Sequence, residues 1–314
     1  MGVYDQAGRY IIKPRPGPFF SWRAEALWRA WRFVRWQDTR TLPFPGEPDR
    51  ICDTVAEFEH RTDPQRRCLV DVEVQAKPDA DLLERLGEYA FRLRRELRHG
   101  SGGPGKYPVL CLVLNLTGAE QASRLDMVLP EWNAAGHSLQ AAQGTLSGEE
   151  ANETLARIAQ GDLERWVLPW LPLLRGAADP VNIAEWKRLA AQEPDNRNRS
   201  ELANLAKLFA ELARTASVWE KALRGWSMTE SPLVNKWQEE ARKQARIETR
   251  MEDVRRAIYL RFGTPVPADL EEQLAAINNK AELDRWFDAS LTAFSLDTFR
   301  AAVQNGKRKR KRST

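Results

Sequence analysis

The chain has 314 residues, 42% apolar and 29% charged, which fits an ordinary folded protein with one large core or two domains and excludes a disordered one. Its net charge of +4 is local: six of the 48 basic residues lie in KRKRKR at 307–312, leaving 42 basic against 44 acidic. Attraction to nucleic acid therefore has to come from patches. The longest strongly apolar run, Val109–Leu114, is too short to span a bilayer, and residues 1–20 hold no apolar signal core, so the expected location is cytoplasmic.

Residues 1–20, rich in Pro and Gly, read as an irregular lead-in. SWRAEALWRAWRFVRWQ at 21–37 reads as a helix with Ser21 as its N-cap. Strands follow near 50–58 and 68–75, joined as an antiparallel hairpin by the polar HRTDPQRR. Leu82, Leu86, Tyr89, Leu93 and Leu97 recur at helical spacing and predict a helix over 79–98, and HGSGGPGK is a loop. Tyr107–Leu116 is continuously apolar, as a strand buried on both faces would be, and a strand near 124–129 is expected to close the sheet. Residues 148–175 return to helix, with the proline-broken WVLPWLPLL at its end. Beyond Asp179 the pattern is helical: 181–192, 200–224, a long charged helix over 232–262 stopped by Gly263 and Pro265, then 268–275, 280–290 and a last helix from Leu296. The fold class is α/β, a mixed sheet flanked by helices and followed by an all-α C-terminal region.

The most informative segment is CLVDVEVQAKPDADLLERLGEYAFRLRREL, Cys68–Leu97. Val70, Val72 and Val74 fall on one side of a strand, and Asp71, Glu73 and Gln75 on the other. Asp53, on the preceding strand, completes a D-x₁₉-E-x-Q pattern. A polar strand face of this kind suits a metal site, whereas a solvated face explains the same alternation without one. Cys52, Cys68 and Cys111 read as buried thiols in a reducing compartment. His60, His99 and His137 show no zinc-ligand spacing.

These residues resemble the PD-(D/E)XK phosphodiesterase fold. They are closest to its recombination-promoting nuclease and putative-transposase branch, where Gln commonly replaces the signature lysine. VEVQ, the Pro78–Asp79 spacer, a helix with Arg85 and Tyr89, and then YPVLCLVLNL carry the resemblance. WVLPWLPLLRGAAD, SMTESPLVNKW and LRFGTPVPADLEEQLAAI extend it, the last being similar to a small helical domain of unknown function attached to such nucleases. The resemblance implies a nuclease-like domain over 1–176, a helical connecting region over 177–245, a small helical domain over 246–305 and a disordered basic tail at 306–314. It implies a Mg²⁺-dependent DNA endonuclease (Mn²⁺ is the alternative ion) acting in recombination. Asp53, Glu73 and Gln75 are the catalytic set, and Asp53, Glu73 and the Val74 backbone carbonyl hold the metal.

Asp71, Glu25, Arg85 and Tyr89 are further candidates. Tyr89 equally belongs to the apolar stripe, Arg85 to a pairing with Glu84, Glu88 or solvent, and Glu25 to an i, i+4 pair with Arg29. The Trp/Arg helix suits either core packing or DNA contact. Lys307, Arg308, Lys309, Arg310, Lys311 and Arg312 form a salt-sensitive nucleic-acid-binding tail. DNA is the expected partner, no membrane is expected, and a homo-oligomer is compatible with the sequence. The competing class is a non-catalytic nucleic-acid-binding or assembly module of the same fold, which the missing lysine permits.

Overall fold

The computed structural model describes residues 2–39, 54–99, 105–118, 123–127, 137–226 and 232–310. The chain divides into two compact units, 1–237 and 238–314. The first is α/β. Its five-stranded mixed sheet has the order β1 (Trp31–Trp36), β2 (Val55–His60), β3 (Asp63–Gln75), β4 (Val109–Asn115) and β7 (Ala142–Thr145). The first three strands are antiparallel; β3, β4 and β7 run parallel. Helix α4 (Leu82–Glu96) makes the crossover from β3 to β4. A parallel pair needs a connection of about that length. The hairpin connection shrinks to Arg61 and Thr62, because β2 runs to His60 and β3 starts at Asp63.

The N-terminal region departs from the expected one. Two helices stand where an irregular lead-in was expected, α1 spanning Val3–Ile12 and α2 Pro16–Arg23. Pro16 sits at the first position of α2, where a missing N–H costs nothing and the fixed φ starts a helix. The single helix expected over 21–37 is broken at Ala24, resumes as α3 (Glu25–Ala30), and then gives way to the edge strand β1. WRFVRW is rich in aromatic and β-branched residues, and pairing sets Arg32 opposite Glu59 and Arg35 beside Glu57. Those cross-strand pairs outweigh local helical preference. The aromatics are partly core: Phe20 and Phe33 pack edge-on against Phe58, with ring centroids 4.9 and 5.8 Å apart.

The strand at Arg124–Met127 (β5) does not close the main sheet. It pairs with β6 (His137–Gln140) in a separate two-stranded sheet, and β7 takes the edge position beside β4. The AQGT of β7 lacks the bulky periodicity that marks a strand in sequence. Leu110 of β4 is half exposed, while Cys111–Asn115 is buried. Behind the sheet, α5 spans Ala151–Gln160 and WVLPWLPLL forms a buried 3₁₀ helix over Arg165–Leu173. Pro169 and Pro172 lack the N–H groups that a longer α-helix would need there. This segment stacks Trp170 on Phe209 with ring centroids 5.0 Å apart. It also accepts a hydrogen bond from Trp186 Nε1 at the Leu168 carbonyl, 2.8 Å.

Helices α6 (Pro180–Ala190), α7 (Asn196–Leu212) and α8 (Ala216–Ala222) complete the layer. The expected helix over 200–224 breaks because Arg214 turns left-handed, with φ 61°. The second unit contains most of α9 (Pro232–Phe262), then α10 (Ala268–Ala275), α11 (Lys280–Thr292) and α12 (Leu296–Arg310). Its core gathers Val254, Ile258, Leu270, Leu274, Leu283, Trp286 and Phe299. The backbone of α12 runs through Arg310, so Lys307–Arg310 continue a helix where a disordered tail was expected; Lys and Arg are good helix formers. Lys311 and Arg312 lie outside the described residues.

The first three strands are tied by Glu57, which is fully buried. Its carboxylate accepts from Arg67 Nη1 (2.7 Å), Gln37 Nε2 (2.7 Å), Arg35 Nε (2.8 Å) and the Tyr107 hydroxyl (3.0 Å). Burial pushes its pKa up, but the hydrogen bonds from Arg67 and Tyr107 and the charge of Arg35 prevail and hold it below the ordinary carboxylate value. Glu57→Gln should cost about 2–4 kcal/mol at neutral pH, read from urea unfolding. Because the folded pKa is depressed, the parent's margin over the variant should be complete above about pH 5 and shrink as pH falls through the depressed value. A margin independent of pH would show that the Glu57 charge does not contribute.

Candidate functional site

Register fixes which residues share a face. Val55 lies opposite Asp71, Asp71 opposite Cys111, Glu73 opposite Val113 and Gln75 opposite Asn115. Val55, Cys111 and Val113 belong to the core that packs under Leu82, Leu86, Tyr89 and Leu93 of α4. Asp71 and Glu73 therefore point to the helix-covered side of the sheet. Asp71 is 0% exposed and Glu73 6%, so the polar alternation is not a solvated strand face. Burying two carboxylates two residues apart costs several kcal/mol each unless opposite charge or hydrogen bonds compensate.

Helix α1 brings one such charge. Arg9 Nη2 lies 3.9 Å from Glu73 Oε2, with the Arg9 side chain 12% exposed. At an effective dielectric near 20, a pair at this distance is worth about 4 kcal/mol before desolvation is counted. Two further contacts fix α1 at the end of β3. Asp5 Oδ1 accepts the Ala76 N–H at 2.9 Å. Gly8 admits the strand: a Cβ there would fall 2.8 Å from Val74 Cγ1 and 3.2 Å from the Trp170 ring. Desolvation pushes the Asp5 carboxyl above its ordinary pKa, against the lowering pull of its backbone hydrogen bonds and of Arg9.

The end of β3 is polar on the same side. Gln75 is half-buried, and its carbonyl accepts from Leu116 N at 2.8 Å. Val72 N donates to Thr54 O at 2.9 Å, on the opposite flank of the strand. By the alternation of strand backbone groups, the Val74 carbonyl faces the Thr54 flank, away from β4. Beside Gln75, the buried Asn115 donates to Gln143 Oε1 (3.2 Å) and Thr145 Oγ1 (3.4 Å). A polar row thus crosses β3, β4 and β7. The Cys111 thiol, opposite Asp71, is pushed up to about 12 by burial and by the negative charge of Asp71 and Glu73.

Asp53 and Cys52 lie outside the described residues. Arg85 is ion-paired with Asp79, rather than with Glu84 or Glu88 as the sequence suggested. Tyr89 is 4% exposed and belongs to the apolar core beneath α4. Glu25 is exposed at the start of α3, paired with Arg29 and 3.7 Å from Arg157. Sequence reading missed Asp5, Gly8, Arg9 and Asn115. The Asp5–Arg9 spacing of i, i+4 is the available signal, masked by the Pro and Gly content of residues 1–20.

Among the described residues, no group of three or more His, Cys, Asp or Glu side chains is placed to hold a metal ion. Asp71, Glu73 and the Val74 carbonyl are hard oxygen donors of the kind that suits Mg²⁺. No protein-family model, curated protein or solved structure matches the chain. No helix among the described residues is long and apolar enough to cross a membrane.

The close approach of α1 gives a direct test. Gly8→Val should lower stability by about 1–3 kcal/mol through steric conflict with Val74 and Trp170, outweighing a few tenths gained in helix propensity. An unchanged urea midpoint would mean that α1 does not dock where described.

Proposed function

We propose that the chain is a metal-dependent DNA endonuclease of the PD-(D/E)XK type that promotes recombination. The observation supporting this reading most is the burial of Glu73, with Asp71 on the same face, near the polar end of the central strand β3. Carboxylates held there at a desolvation cost call for a role beyond solubility. In this reading Asp53, which precedes Thr54 in the chain, joins Glu73 and the Val74 carbonyl in holding Mg²⁺, or Mn²⁺ in its place, and Asp71 adds a further oxygen. The bound ion supplies charge neutralisation and a lowered pKa for water. Gln75 cannot act as a cation or a base, but its amide donates and accepts hydrogen bonds and so orients the attacking water. Lys307–Arg312 add sequence-independent attraction to the DNA backbone.

One observation favours a second reading. Arg9 beside Glu73 offers charge compensation without a metal, as expected of a nucleic-acid-binding or assembly module that has lost hydrolysis. Incubation of purified protein with plasmid DNA and with RNA, with and without Mg²⁺, separates the two readings and assigns the substrate. The parent should nick or linearise plasmid only with the ion present, and Glu73→Gln should slow this on the order of 100-fold. Cleavage by the variant at the parent's rate would remove Glu73 from the mechanism.

The basic run makes a separate prediction. Removing residues 306–314 takes away six positive charges, so DNA affinity should fall at low salt and the dependence of log affinity on log salt should flatten. Turnover at saturating DNA should be unaffected. Identical salt slopes for the two forms would show that the run does not touch DNA.

A further inference from the structure

We infer that Arg9 supplies, from α1, the phosphate-facing cation that Gln75 cannot provide; this rests on the nuclease reading above. Phosphodiester cleavage develops negative charge on the phosphoryl oxygens and gains from a cation held beside them. The D-x₁₉-E-x-Q pattern puts a neutral amide at the third position. Any side-chain cation beside the phosphate, added to the charge of the bound ion, therefore comes from another element.

Helix α1 is built to deliver it. Asp5, Gly8 and Arg9 lie on one helix face, at i, i+3 and i+4. Each meets the end of β3: Asp5 the N–H of Ala76 just beyond it, Gly8 the Val74 side chain and Arg9 the Glu73 carboxylate. A side chain on the Gly8 position would push Arg9 away from the strand. Arg9 therefore stands at Glu73, two residues from Gln75, on a helix held against the strand by Asp5 and Gly8. At 3.9 Å its contact with Glu73 is Coulombic and longer than a hydrogen bond. A guanidinium carries five N–H donors in a planar fork, enough to face a carboxylate and a phosphate together. The alternative role for Arg9 is that of a counter-ion to Glu73 and nothing more.

The full chain would be compared as parent, Arg9→Gln, Arg9→Lys and the double variant Arg9→Gln/Gln75→Lys. Binding of a short labelled DNA duplex would be read by anisotropy across a salt series with Ca²⁺. Single-turnover cleavage of the same duplex would be read with Mg²⁺, and melting would be followed throughout. Arg9→Gln should weaken binding, reduce the salt slope by about one, and slow cleavage on the order of 100-fold. Arg9→Lys should keep most of the rate, and the double variant should regain about tenfold over Arg9→Gln because the charge is restored from β3. An unchanged slope and rate in Arg9→Gln, whatever its melting temperature, would overturn the inference and leave Arg9 as a counter-ion. Should Arg9→Gln fail to fold, a double variant that melts as the parent does decides: cleavage no faster than the background overturns the inference. A parent that cleaves with neither Mg²⁺ nor Mn²⁺ would instead end the nuclease reading. The salt slope alone then decides whether Arg9 meets phosphate.

Discussion

The burial of acidic side chains in the middle of the sheet constrains much of the first unit. Strand β3 is covered by α4 on one face, and its Asp71 and Glu73 lie on that covered face. A carboxylate in such a place tolerates few arrangements of its neighbours, since its charge has to be met by donors or cations at fixed distance. Two elements answer to this. Helix α1 docks across the strand end through Asp5, Gly8 and Arg9, and β1 carries Arg35 to Glu57 one strand away. Apolar packing assembles these layers without fixing their register strictly. The charge pairs add the restriction, because a one-residue slip of β2 against β3 would move Glu57 to the other face.

Much of this was legible in the sequence. Leu82, Leu86, Tyr89 and Leu93 announced α4 and its buried stripe, and the antiparallel hairpin and the helical C-terminal half followed from pattern alone. Failures came where long-range pairing overrode local preference. Trp31–Trp36 has the charge spacing of a helix, and only Glu57 and Glu59 on β2 show why it is a strand. Pro16 and Gly17 looked like breakers but open α2. Alternation at Asp71, Glu73 and Gln75 correctly gave a strand with a polar side. It could not tell whether that side met water or a helix, because periodicity records chemical type and not what lies opposite. Arg9 could not be found from β3 at all: its neighbour Glu73 is 64 positions away.

The two units differ in how they are held. The first relies on a sheet with parallel and antiparallel pairings and on long-range contacts such as Tyr10 with Trp237. The second is a helical cluster around Phe299 and Trp286, tied at its surface by Arg255–Glu271 and Arg250–Asp284. Surface pairs of this kind contribute less than about 1 kcal/mol each, so the apolar cluster carries most of the second unit's stability.

Cys111 gives the first unit a chemical gauge of its own opening. Its thiol lies in the sheet opposite Asp71, where burial and neighbouring negative charge raise its pKa to about 12. Thiolate is the form that reacts with alkylating or oxidising reagents, and burial beside Asp71 and Glu73 suppresses it at neutral pH. Reaction at an ordinary rate requires the strand to part from its cover long enough for the sulfur to meet water. The labelling rate of this sulfur therefore tracks how often the carboxylate-bearing heart of the sheet breathes, without any probe being introduced.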